Sequence, residues 1–104
     1  MIEPSIRLSG PTLKVLKLLL DSPRIERSGA ELSKATKVGP GTIYPLMARL
    51  ENAGWLISRW EEVDPREVGR PRRRLYGLTA IGQERSREAF ADFQLSAGRL
   101  AWTL

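Results

Sequence analysis

No cysteine and no histidine occur among the 104 residues. The first absence excludes disulfides, thiolate nucleophiles and thiolate metal sites. The second removes the commonest general base and the commonest metal ligand. Neither a Ser-His-Asp nor a Cys-His constellation can be built, and an enzyme, a metal and a cofactor are all unexpected. Long apolar runs are missing as well. None exceeds the length of Leu18-Leu19-Leu20, far short of the ~20 residues that cross a bilayer. No apolar signal-peptide core opens the chain, so a cytoplasmic protein with no membrane partner is expected. The length allows one small domain. A chain of this size buries only about 60–65% of its unfolded surface, which leaves room for stabilisation by a partner chain.

The net charge is +5, from 17 Lys+Arg against 12 Asp+Glu. Its position matters more than its size. Residues 65–78 carry Arg66, Arg70, Arg72, Arg73 and Arg74 against Glu67 alone, a local charge of +4. All five cations are arginine, whose planar fork suits phosphate better than the lysine ammonium does. The cluster is either a solvated basic loop or a nucleic-acid contact, and its density around a Gly-Arg-Pro turn favours the contact.

Helical periodicity dominates the rest. Ser9-Gly10-Pro11 offers a cap and a first-turn proline. Leu13, Leu16 and Leu20, with Val15 and Leu19, then repeat at helical spacing until Asp21-Ser22-Pro23. Ser28-Gly29-Ala30-Glu31 fits a capping box and opens a second, short helix to about Thr36, with Ala30, Leu32, Ala35 and Val38 as its apolar face. Val38-Gly39-Pro40-Gly41 is expected to break it. A third helix runs from Pro40 or Thr42 to Ala53, with Ile43, Leu46, Met47, Leu50 and Ala53 in one buried stripe. Gly54 is placed as its left-handed stop. A start at Pro40 would put Pro45 inside the helix and kink it.

Trp55 to Trp60 reads as a strand, Glu61 to Pro71 as a loop, and Arg72 to Leu78 as the returning strand. Together they form a β-ribbon wing. Thr79 caps a last helix running toward the C-terminus. In it Phe90, Phe93, Ala97, Leu100 and Leu104 are spaced 3, 4, 3, 4, an a/d seam. The seam either folds back on the first helix or joins a second copy, and the dimer is the favoured reading. Gly98 weakens that helix or permits close approach. Phe90, Phe93 and Trp102 line a small-molecule pocket or simply pack.

The expected fold class is therefore mainly α with a small β-ribbon: a winged helix-turn-helix over residues 1–79 and a C-terminal dimerisation helix over residues 80–104. The third helix is the recognition element, with Thr42, Tyr44, Pro45, Ala48, Arg49 and Asn52 off its buried stripe. Its N-terminal end is the part that usually enters the major groove. Gly39 and Gly41 let backbone approach a phosphate, and Lys34 and Lys37 flank phosphates or are merely solvated. Tyr44 has a rim-aromatic alternative, and Arg49 a helix-pair alternative. The acidic Glu61, Glu62 and Asp64 form the one dense carboxylate patch and read as a solvated wing tip rather than a hydrolytic site.

Two runs carry a family resemblance. Gly41-Thr42-Ile43-Tyr44-Pro45-Leu46-Met47-Ala48-Arg49-Leu50-Glu51-Asn52-Ala53-Gly54-Trp55-Leu56 is the first, and Gly69-Arg70-Pro71-Arg72-Arg73-Arg74-Leu75-Tyr76-Gly77-Leu78-Thr79-Ala80-Ile81-Gly82 the second. Together they resemble the PadR family of transcriptional regulators over about residues 8–95, and the short C-terminus is similar to its compact subfamily. The resemblance implies a homodimeric repressor, and a dimer presenting two recognition helices about one DNA turn, ~34–36 Å, apart predicts a pseudo-palindromic operator in double-stranded DNA. The resemblance also implies DNA contacts at Thr42, Tyr44, Pro45, Arg49, Arg70, Arg72 and Arg73, and in some members a small hydrophobic effector at the dimer interface. The position after Tyr76, often basic in the family, is Gly77 here. The rival reading is a winged-helix protein-interaction module without sequence-specific DNA binding.

Overall fold

The computed structural model describes residues 6–103, with side chains described for residues 6–92. Helix α1 (Gly10–Asp21) starts where the Ser9 hydroxyl accepts from the Thr12 amide, with Pro11 in the first turn. Its buried side is Thr12, Val15, Leu16 and Leu19. A two-residue strand β1 (Arg27–Ser28) leads directly into α2 (Gly29–Thr36). Ser28 is at once strand residue and helix cap. Its hydroxyl accepts from the Glu31 amide at 3.1 Å while Glu31 accepts from the Ser28 amide at 3.2 Å, so the expected capping box is formed. On α2 only Leu32 of the anticipated face is buried together with Val38 beyond it, while Ala30 and Ala35 are exposed. The helix is too short and too tightly flanked to turn a wider stripe inward.

The break after α2 falls on Lys37, not on the glycines. Lys37 is left-handed, φ 61°. Thr36 explains it: its hydroxyl donates to the Leu32 carbonyl and accepts from the Val38 amide, while the Ser33 hydroxyl donates to the Val38 carbonyl. Helix α3 (Pro40–Asn52) begins at Gly39 and continues through Pro45. Pro40 has no N–H, and the amides of Thr42 and Ile43 both reach the Gly39 carbonyl, which closes the first turn without a capping side chain. Ile43, Leu46, Met47, Leu50 and Ala53 are all buried, as the stripe requires. Gly54 (φ 81°) ends the helix, and the Trp55 amide bonds back to Leu50.

Strands β2 (Leu56–Trp60) and β3 (Arg74–Leu78) pair antiparallel, Leu56 with Leu78 through Trp60 with Arg74. The ribbon is not two-stranded: β1 pairs with the other edge of β3, giving the order β1-β3-β2. Two residues carry no strand period, so this third strand is invisible in sequence. The segment expected as plain loop holds a helical turn, α4 (Pro65–Val68). Asp64 caps it, Pro65 sits at its first position and Gly69 (φ 70°) closes it.

Helix α5 (Ala80–Thr103) is anchored on the connection between α3 and β2. The Thr79 hydroxyl accepts from the Gly82 amide at 2.9 Å, and the Thr79 amide donates to the Trp55 carbonyl at 3.0 Å. A Cβ on Gly82 would lie 2.0 Å from that same carbonyl oxygen, so only glycine allows the approach. Ser86 and Ala89 are buried, and Phe90 packs against the core of its own chain. Of the residues expected in a dimer seam or pocket, the side chains of Phe93, Ala97, Leu100 and Trp102, and Leu104 altogether, lie outside the described residues. No helix among the described residues is long and apolar enough to cross a membrane.

Candidate nucleic-acid interface

Burying one stripe of α3 leaves Gly41, Thr42, Tyr44, Pro45, Ala48, Arg49 and Asn52 exposed. Tyr44 is 48% exposed, and its inner side is held by a specific contact. A Cβ at Gly29 would come within 2.4 Å of the Tyr44 ring and 3.0 Å of its hydroxyl oxygen. The ring therefore rests on the bare backbone of the first turn of α2. Tyr44 combines the rim and exposed roles instead of choosing between them. Arg49 has no acidic residue at i+3 or i+4 and its side chain makes no hydrogen bond or ion pair among the described residues, so the helix-pair alternative is not realised. Lys34 and Lys37 are also exposed at the end of α2.

The wing cations divide into engaged and unengaged. Arg70 forks onto Glu61, Nη1 to Oε1 at 2.7 Å and Nη2 to Oε2 at 3.2 Å. Arg72 donates through Nε to the Val63 carbonyl at 2.9 Å. Arg74 donates through Nε to the Ser58 hydroxyl, which donates in turn to the Glu51 carboxylate on α3. The Arg74 guanidinium also lies 5.1 Å from the Trp60 ring centroid, within cation–π range. The side chains of Arg66 and Arg73 make no hydrogen bond or ion pair among the described residues. The chain Glu51–Ser58–Arg74–Trp60 thus ties the wing to α3.

Charge responds to these contacts. The Arg70 guanidinium and the Arg73 amide hold the Glu61 carboxyl down, from the ordinary 4.5 to about 2. What a carboxylate with a depressed pKa contributes is fully present above the unfolded value, and it is lost only as pH falls toward the folded one. This contribution is therefore complete above about pH 4.5 and disappears between there and pH 2. Burial, and then the Glu51 charge, push the Tyr76 phenol up.

The sequence missed Arg74, Ser58, Glu51, Gly29 and Glu61 as site-building residues. Alternation along β2 and β3 would have put Ser58 and Arg74 on one face. Nothing in the sequence announces that Gly29 seats Tyr44. Glu61 was grouped with a solvated tip, whereas its side chain is only 14% exposed.

Three helices, a capped turn between α2 and α3, and a β wing beside an exposed helix face define a winged helix-turn-helix protein. The model of the transcriptional regulator PadR-like family matches residues 15–88, and the chain belongs to that family, a family of regulators and not of enzymes. A search of curated proteins gives no match. Among solved structures, the chain is similar to a PadR family transcription regulator from hypervirulent Clostridium difficile R20291, with TM-score 0.76 and 17% identity, covering 91% of this chain and 98% of that one. It is also similar to MepR, a transcription regulator of the Staphylococcus aureus multidrug efflux pump MepA, with TM-score 0.70, 20% identity and 92% of this chain covered. This chain spans 65% of that MepR chain's length. A MepR–DNA complex aligns with TM-score 0.66 and 19% identity, over 91% of this chain and 71% of that one. At these identities the likeness is one of fold.

Proposed function

We propose that the chain is a sequence-specific regulator that binds double-stranded DNA through α3 and the wing. In this reading residues 1–79 contact DNA and residues 80–104 hold two copies together. The copies present their α3 helices about one turn of duplex, ~34–36 Å, apart on a pseudo-palindromic operator and repress transcription. A small hydrophobic effector at the interface between copies completes the reading. The carrying observation is the exposed N-terminal half of α3, with Tyr44 seated on Gly29, and with Arg49 later in the same helix and Arg73 in the wing, whose side chains make no hydrogen bond or ion pair among the described residues. A similar fold bound to DNA in MepR supports it. Backbone contacts by cations fix register and affinity, while α3 supplies choice of base.

The test is a titration against DNA flanking the chain's own coding sequence, at two salt concentrations, with shuffled DNA as competitor. Tight, competitor-resistant binding that salt weakens supports the reading. Arg49→Ala and Arg73→Ala should each weaken binding about tenfold and lower the salt slope by about one. Unchanged slopes in both variants would remove these residues from the interface. No binding even at low salt favours the protein-interaction alternative.

Gly29→Ala separates seating from stability. The added methyl meets the half-exposed ring of Tyr44, which can swing outward. The melting temperature should move by no more than about 5 °C, while operator affinity falls about tenfold or more through the displaced tyrosine. Equal affinity for variant and wild type would show that Tyr44 placement does not matter for binding.

A further inference from the structure

We propose that Glu61 is a positioning residue that closes the wing and presets its arginines for DNA. The proposal rests on the DNA-binding reading above. The β2–β3 ladder ends at the pair Trp60–Arg74. One residue further out, the Glu61 amide still donates to the Arg73 carbonyl at 3.0 Å. The return bond is different: the Arg73 amide donates to Glu61 Oε1 at 2.8 Å. A side chain has taken the place of the next rung. The same carboxylate receives the Arg70 fork from the far side of the turn, at 2.7 and 3.2 Å.

One acidic group thus holds both Arg70 and Arg73 and shuts the segment between residues 61 and 73, which contains α4. Within that closed segment, Arg72 is tied to the Val63 carbonyl. The Arg73 and Arg66 side chains project from a backbone already fixed. Glu62, the neighbouring residue, is exposed and makes no hydrogen bond among the described residues.

Charge alone and position predict opposite signs. A carboxylate among the cations weakens attraction to a polyanion, so removing it should tighten DNA binding if charge decides. If Glu61 presets the wing, removing it makes the wing order itself on binding and weakens the complex. Glu61→Gln and Glu62→Gln remove one negative charge each from adjacent positions, and Glu62→Gln serves as the charge control.

The experiment titrates full-length wild type and both variants with duplex DNA at two salt concentrations, and follows hydrogen exchange at the Arg73 amide in these and in Glu61→Ala. Glu62→Gln should bind as tightly as wild type or up to about threefold tighter. Glu61→Gln should bind about five- to tenfold more weakly through loss of the charged fork, and Glu61→Ala, which also leaves the Arg73 amide without its acceptor, should speed Arg73 exchange at least about tenfold. Adding Glu61→Gln to Arg70→Gln should weaken binding less than Glu61→Gln does in the wild type, because the fork is already lost and only the bond to the Arg73 amide is left to weaken. Glu61→Gln binding as tightly as Glu62→Gln, with wild-type exchange at Arg73 in Glu61→Ala, would overturn the proposal. If the wild type itself binds no duplex, the DNA-binding reading fails, and Arg73 exchange alone decides whether Glu61 closes the wing.

Discussion

Gly82→Ala is expected to lower the melting temperature by about 10–20 °C, corresponding to about 2–3 kcal/mol for a domain of this size. The introduced methyl would meet Trp55 backbone on three sides: its oxygen at 2.0 Å, its carbonyl carbon at 2.9 Å and its Cα at 3.0 Å. Backbone at the end of α3 has no rotamer to escape into. The first turn of α5 must back away, which breaks the bond from the Thr79 amide to the Trp55 carbonyl and lifts buried Ser86 and Ala89 off their seats. Gly10→Ala is the control. Nothing lies within 4 Å of a Cβ there, and it begins a helix, so a small gain in stability is expected. Thermal unfolding followed by circular dichroism compares the two. A drop under about 3 °C for Gly82→Ala would mean that α5 tolerates a different docking.

Ending the chain after Asp92 should produce monomers and cost about a hundredfold or more in operator affinity. The cut point follows from the fold. Ala89 and Phe90 belong to the chain's own core, so removing them would confuse unfolding with dissociation. The residues beyond Asp92 carry the rest of the 3-4-3-4 seam, Phe93, Ala97, Leu100 and Leu104. Two linked half-site contacts gain about 10²–10⁴ over one, and that factor is what truncation should remove. Sedimentation equilibrium gives the oligomeric state and the DNA titration gives the affinity. A truncated chain that still sediments as a dimer would place the association elsewhere.

Helix ends were legible because local chemistry decides them. Ser9, Ser28 and Thr79 each cap the helix expected of them, and the α3 stripe lies inward residue for residue. Long-range pairing was not legible. Strand β1 exists because β3 has a free edge beside it, and two residues cannot announce that. The turn α4 was hidden by proline and glycine, which mark loops and the two ends of helices alike. The left-handed residue after α2 fell on Lys37 because Thr36 and Ser33 had claimed the neighbouring backbone groups, a side-chain effect that overrode the preference for glycine. In the candidate site, exposed residues of α3 could be read from its period. Gly29, which seats Tyr44, and Glu51 and Glu61, which hold the wing, act across elements and had no signal along the chain, whereas Ser58 could have been placed beside Arg74 by strand alternation alone.

Gly77 gives the molecule an uneven electrical profile. With no side chain on the middle strand at that point, Glu26 lies across it, with its Cγ 3.7 Å from where a Cβ would stand. There it meets Arg59 of the outer strand through two guanidinium nitrogens. The two charges cancel on that surface, beside an Ile57 that is 66% exposed. A basic residue at Gly77 would have added a cation there. At this point of the sheet, among the described residues, Arg59 is matched by Glu26, in contrast to the cations of α2, α3 and the wing that make no ion pair. A protein charged in this way turns as it drifts toward a polyanion, so more of its encounters begin in a productive orientation. That advantage concerns the rate of arrival more than the strength of holding. It shortens with the ~10 Å reach of such fields at 0.1 M salt.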